Sequence, residues 1–329
     1  MKKIFLVFAL IALLLTSCED EAVSKIGGAD GPTAIIVGEE KGEDRFIKSW
    51  SAKDSESGWS YDEWDYHIEL RIKDMPYDNN GVLELPSEID GKPVTHITEH
   101  NFDSQSWHVE TLIIPDSVKY IGDDAFRDLK PATNITIPDT LVEVGDNVFS
   151  RTGWYDLQTE EFCIVGDGIL VKYNGSSNDI VIPEGVKLVA DAFEDVDVNS
   201  VTFSSTVEKI GNSAFYGEYT LESVTIPGNV KVIGKSAFGN CSLKELTLEE
   251  GVEVIRNYAF SDNELTSVVL PESFDDLWGF AFKKNYDLES VTVLGNPTYF
   301  NTDGLENVKI LIPEGSPMAE KLNVYEYIK

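Results

Sequence analysis

From residue 82 onward the apolar residues recur in a fixed order that neither a helical period nor simple strand alternation accounts for. A pair spaced by two is followed by a proline, a pair spaced by three, a glycine, and a closing Ala-Phe. Segments 109–126 (VETLIIPDSVKYIGDDAF), 221–238 (LESVTIPGNVKVIGKSAF) and 265–282 (LTSVVLPESFDDLWGFAF) share the pattern L-x-x-V-x-I-P-x-x-V-x-x-I-G-x-x-A-F. The closing residues Phe102, Phe126, Phe149, Phe193, Phe215, Phe238, Phe260 and Phe282 lie 22 to 24 residues apart, except for one interval of 44 that spans two periods. Such a period predicts a solenoid, in which each repeat is one turn.

The chemistry of one turn follows from its residues. Val224 and Ile226 point inward on a short strand while Ser223 and Thr225 face outward. Pro227 ends the strand because it has no N–H to give the ladder. Val230 and Ile233 return the chain to the interior, Gly234 permits the bend, and Phe238 fills the centre against its counterparts above and below. No single turn buries this apolar set, so stacking is obligatory. The outward strand positions, from Thr111 and Ile113 through Ser223 and Thr225 to Lys309 and Leu311, form a flat ladder of small hydroxyl and β-branched residues without aromatic anchors.

The I-P-x-x-V-x-x-I-G-x-x-A-F signature resembles the BspA-like leucine-rich repeat of bacterial surface proteins. The resemblance implies a leucine-rich-repeat stack over residues 82–312, and parallel short strands predict a β-rich, right-handed solenoid of about ten turns. Residues 45–81, which carry Trp50, Trp59 and Trp64, read either as an N-terminal cap over the first apolar turn or as an exposed aromatic cluster that binds sugar or protein, and residues 313–329 read as a C-terminal cap. The resemblance also implies a secreted or surface-anchored protein that binds host or envelope proteins without catalysing a reaction. Ser204, Glu249 and Leu294 depart from the pattern in place of proline, and residues 150–182 form an irregular insertion. There, Phe162–Val165 and Ile169–Tyr173 flank Gly166-Asp167-Gly168 and read as a hairpin. This insertion is either a binding projection or a variant turn.

The N-terminus reads as a lipoprotein signal peptide over 1–17: Lys2 and Lys3, an apolar run from Ile4 to Leu15, and then Leu15-Thr16-Ser17-Cys18, which resembles the bacterial lipobox. That resemblance implies acylation of Cys18 and attachment to a membrane through lipid alone. Residues 18–44 are polar and Gly/Glu-rich, as a flexible tether requires. Within them GGADGPTAI resembles a loop in the membrane subunit of sodium-translocating decarboxylases. That family is polytopic, and this chain has no second apolar run of membrane length, so the segment is read as tether.

Charge narrows the partners. The full chain carries 26 basic and 58 acidic residues, a formal charge of −32. It has no basic patch to offset this, so nucleic acid is excluded as a partner. Catalytic, cofactor and metal groupings are not apparent. His96-x-x-x-His100 with Glu99 has helical zinc spacing, but the repeat register places His96 at the position of Tyr120, on a strand. Cys163 and Cys241 are more than three turns apart and are expected to be two buried thiols rather than a disulfide. Binding is therefore expected of aromatics off the strands, with Trp107, Trp154, Tyr155 and Trp278 as candidates beside Tyr216, Tyr219, Tyr286 and Tyr299. Two further roles fit the same residues: a glycan-binding accessory of nutrient uptake, using Trp and Tyr as stacking platforms, and a passive envelope scaffold.

Overall fold

The computed structural model describes residues 45–50, 55, 57, 59–71, 81–98, 108–193, 196–320 and 326–328. The predicted signal peptide and tether lie outside the described residues, as do Cys18, Glu99, His100, Phe102 and Trp107.

The chain winds into a β-solenoid of about ten turns. Each regular turn lays down two parallel strands. The longer one, such as Ser223–Ile226, pairs in register with that of the next turn, Val224 opposite Leu246. The two-residue strand that follows the proline turn joins a second ladder, in which Lys209–Ile210, Val232–Ile233, Val254–Ile255, Asp276–Leu277 and Tyr299–Phe300 stack in order. On the longer strands the predicted alternation holds: Val224 and Ile226 are buried, whereas Ser223 and Thr225 are exposed. Helix among the described residues amounts to one α-turn, Gly153–Asp156, capped by Thr152 Oγ1 on the Tyr155 N–H at 3.0 Å, and one short 3₁₀ turn.

The arc after the short strand bends through two left-handed residues per turn. These are Asp124 and Asp128 in one turn and Ser236 and Asn240 in another, with φ between 53° and 65°. The glycine that opens the arc answers to a different constraint, close backbone approach. A Cβ on Gly234 would lie 2.5 Å from the Gly211 carbonyl of the preceding turn. Inside the arc the phenylalanines form a ladder of near-parallel rings. Phe193, Phe215, Phe238, Phe260 and Phe282 follow one another at centroid distances of 4.9, 5.0, 5.4 and 5.6 Å. That rise is set by the spacing of hydrogen-bonded strands, about 4.8 Å.

The 44-residue interval hides a rung. Tyr173 is buried in the aromatic column one turn before Phe193, at 5.7 Å, and its hydroxyl donates to the Ser177 carbonyl at 3.0 Å. The ladder does not run on from Phe149 to Tyr173, because the solenoid has two cores here. The strands Ile169–Tyr173 and Leu188–Val189 form a wall between them. Ile169, Val171, Leu188 and Ala190 pack into the first core, and Leu170, Tyr173, Val189 and Ala192 into the second. The predicted hairpin, Phe162–Val165 against Ile169–Tyr173, is present with a register shift after Cys163. It is packed into this wall rather than projecting from it.

Before the first turn, Phe46–Trp50, Ser60–Trp64 and Ile68–Arg71 form an antiparallel unit. Its last strand pairs in parallel with Lys92–Ile97, so Glu69 lies opposite His96 and His96 opposite Tyr120. At the other end Lys309–Pro313 pairs in parallel with Glu326–Ile328.

Candidate binding surface

Where the two stacks meet, the turns at the end of the first come against the second. Glu143 pairs with Lys209, and the Ser213 hydroxyl donates to Asp146 Oδ2 at 3.0 Å. Asp146 is enclosed beside Asp123 and Asp191; burial, and then the Asp123 charge, push its carboxyl up to about 7. Next to this contact opens a cleft of about 510 Å³ lined by Asn147, Asp191, Asp197, Tyr216, Glu218 and Tyr219, among others. Glu218 is buried on its wall, accepting from the Val198 N–H at 2.8 Å. Desolvation outweighs that bond and lifts its carboxyl to about 7.

The cleft continues into an aromatic edge. Tyr216 and Tyr219 are 56% and 67% exposed, and Tyr286 is 88% exposed. Tyr219 is steadied by Asn240, whose Nδ2 donates to its hydroxyl at 2.8 Å. Lys284, paired with Asp262 at 2.8 Å, is near enough to Tyr216 and Tyr286 to interact with both. Alongside, Tyr258 and Phe280 stack at 5.3 Å with Lys283 over both rings. Both hold φ near 60°, at the arc position where other turns have Asp, Asn or Ser. Bulky side chains rarely adopt that conformation, so both half-buried positions carry local backbone strain.

The tryptophans singled out by sequence do other work where they are described. Trp154 is half-buried and closes the first aromatic ladder, 5.3 Å from Phe149. Tyr155 is 8% exposed, with Lys172 over its ring and donating to its carbonyl at 2.8 Å. Trp278 is half-buried beneath the Arg256 guanidinium, 4.5 Å from the ring centroid, and its Nε1 makes no hydrogen bond. Among the expected aromatics that lie in the described residues, Tyr216, Tyr219, Tyr286 and Tyr299 are the exposed ones. The sequence did not distinguish these from the packed rings, because the solenoid uses both classes at positions between strands. Tyr258 and Phe280 align with Asp124 in the repeat, which is the sequence signal for the strained pair.

Cys163 and Cys241 are free and buried, as the spacing required. Burial pushes the Cys241 thiol up to about 12, and its Sγ donates to the Phe215 carbonyl at 3.0 Å, which leaves no activated nucleophile there. Among the described residues one trio could hold a metal ion: His67, Glu69 and His96, each offering a ligand atom within 4.8 Å of the others. His67 Nε2 is 3.6 Å from Glu69 Oε1. His96 is held neutral by burial and by the neighbouring His67, its pKa lowered to about 3. Sequence spacing missed this trio because strand pairing, not helical periodicity, brings residues 67 and 69 to residue 96.

The family model for the BspA type leucine-rich repeat region matches in six copies, over residues 95–220 and 186–312. Among solved structures, the pneumococcal vaccine antigen PcpA is 17% identical, covering 73% of this chain and 72% of that one, with a TM-score of 0.39. A leucine-rich repeat protein from Bacteroides ovatus is 18% identical over 87% of this chain and 76% of its own, TM-score 0.36. A leucine-rich cell surface protein from Faecalibacterium prausnitzii is 16% identical over 85% and 98%, TM-score 0.32. A search of the curated proteins found none similar to this chain.

Proposed function

Since the chain belongs to the BspA-type leucine-rich repeat family, we propose that it is a surface-displayed lipoprotein that binds a protein partner, attached to the envelope through Cys18 and acting without catalysis. Repeat solenoids of this kind typically serve as binding scaffolds. The observation that carries the reading is the edge formed by Tyr216, Tyr219 and Tyr286 beside the acid-lined cleft. Tyrosine gives large, amphipathic contact area at low entropic cost, as protein-binding surfaces use it. A cleft walled by Asp191, Asp197 and Glu218 on a chain of charge −32 selects a partner with a basic contact patch. Host or envelope adhesion is the role that fits an anchor, a tether and such a surface together.

Protease shaving of intact cells, with immunoblotting for the repeat domain and a Cys18→Ala control, tests display. The domain is expected to disappear from intact wild-type cells; protection until lysis overturns the reading. The soluble repeat domain is then offered immobilised matrix proteins. Saturable binding that Tyr216→Ala/Tyr219→Ala weakens at least tenfold, and that soluble sugars leave untouched, supports a protein ligand. Displacement by sugars assigns the edge to glycan instead.

A further inference from the structure

We propose that His67, Glu69 and His96 form a binding site for a divalent transition-metal ion, zinc above all, which staples the N-terminal strands to the first turn of the solenoid. Two imidazoles and one carboxylate are a ligand set that zinc takes readily. Their ligand atoms already lie within 4.8 Å of one another across the pairing of Ile68–Arg71 with Lys92–Ile97. The separation of His67 Nε2 from Glu69 Oε1, 3.6 Å, is close to the roughly 3.3 Å edge of a tetrahedron with metal–ligand bonds of about 2.0 Å.

Three features argue for a built site rather than a chance cluster. Glu69 is 3% exposed on the sheet face opposite its core neighbours Ile68 and Leu70, and its Oε1 accepts no hydrogen bond. A carboxylate oxygen enclosed in this way is costly unless something positive meets it. The ring planes are fixed on both sides: Trp64 stacks on His67 at 5.6 Å, and Tyr120 stacks on His96 at 4.5 Å. His96 Nδ1 is engaged by Thr95 Oγ1 at 2.8 Å, which leaves Nε2 as the ligating atom. This is the outer-shell arrangement that orients metal-binding histidines. Three protein ligands leave a fourth position for water.

The test is zinc titration of the purified chain in excess Mg²⁺, which occupies the many weak carboxylate sites of so acidic a protein. One Zn²⁺ per chain is expected to bind, and Glu69→Gln and His96→Asn are expected to weaken binding at least tenfold, with His108→Asn unchanged. Because a variant can fail for structural reasons, X-ray absorption of the zinc-loaded wild type supplies a second reading. Two imidazole nitrogens at about 2.0 Å support the site. An oxygen-only shell, no uptake in the presence of Mg²⁺, or equal binding by Glu69→Gln overturns it.

Discussion

Lys209 and Glu143 stand 66 residues apart in the chain and close an ion pair across the junction of the two stacks. Both side chains are largely enclosed, so removing one leaves the other poorly solvated. Lys209→Met is expected to lower unfolding free energy by about 2 kcal/mol, and a double-mutant cycle with Glu143→Gln to return a coupling of about 1 kcal/mol. Denaturant unfolding measures both; strict additivity would mean that the pair does not hold the junction.

Asp146 makes that junction sensitive to pH. Its folded carboxyl keeps a proton up to about pH 7, while the unfolded one releases it near 3.8. Its contribution to stability is therefore complete below about pH 4 and lost as pH rises through 7. Asp146→Asn, which keeps an acceptor for Ser213, is expected to be more stable than wild type at pH 8 by about 2 kcal/mol, with the difference vanishing near pH 4. Thermal melts across that range are the check.

Glu218 occupies a position that other turns fill with asparagine. Asn263 and Asn285 accept from the N–H of Leu243 and Leu265 and donate through Nδ2 to the carbonyls of Phe238 and Phe260. Glu218 makes the accepting bond to Val198, but it can donate only when protonated. With its carboxyl raised to about 7 from 4.5, this stability is present at acid pH and lost through neutrality. Glu218→Gln is expected to flatten the pH profile and gain about 1 kcal/mol at pH 8. A variant that melts like wild type at every pH would contradict this.

Phe238 sits at the middle of the longer aromatic ladder, fully buried. Phe238→Ala is expected to cost about 3 to 5 kcal/mol. Amide exchange should report the loss in the turns of the second core, with residues 108–144 of the first core little affected. Uniform loss through both stacks would show that the two cores unfold as one.

The sequence carried most of this fold because each turn restates it. The apolar order of residues 221–238 dictates which side chains enter, and the register it implies put His96 beside Tyr120 as observed. The second core was not legible, since Ile169 and Leu188 look like any strand residues until a neighbour covers their outer face. Nor was Tyr173 as a ladder rung, because every other visible rung ends in phenylalanine and tyrosine breaks that signature. The surface was legible as a kind but not residue by residue. Tyr216 and Trp154 both lie off the strands, and only packing decides that one is exposed and the other covers Phe149.

The wall between the cores also sets the extensibility of the molecule. The ladder of short strands, unbroken within each stack, ends at Glu143–Val144 and resumes in a separate sheet in the second stack, and side chains such as Lys209 and Glu143 bridge the gap. Under tension along the solenoid axis, this seam carries the same force as the turns on either side of it, without the short-strand ladder that joins those turns. It parts first, and the chain lengthens initially as two blocks. Beyond that point each released turn of 22 residues adds about 70 Å of contour. The same joint that shapes the cleft is therefore the compliant element between the two ends of the solenoid.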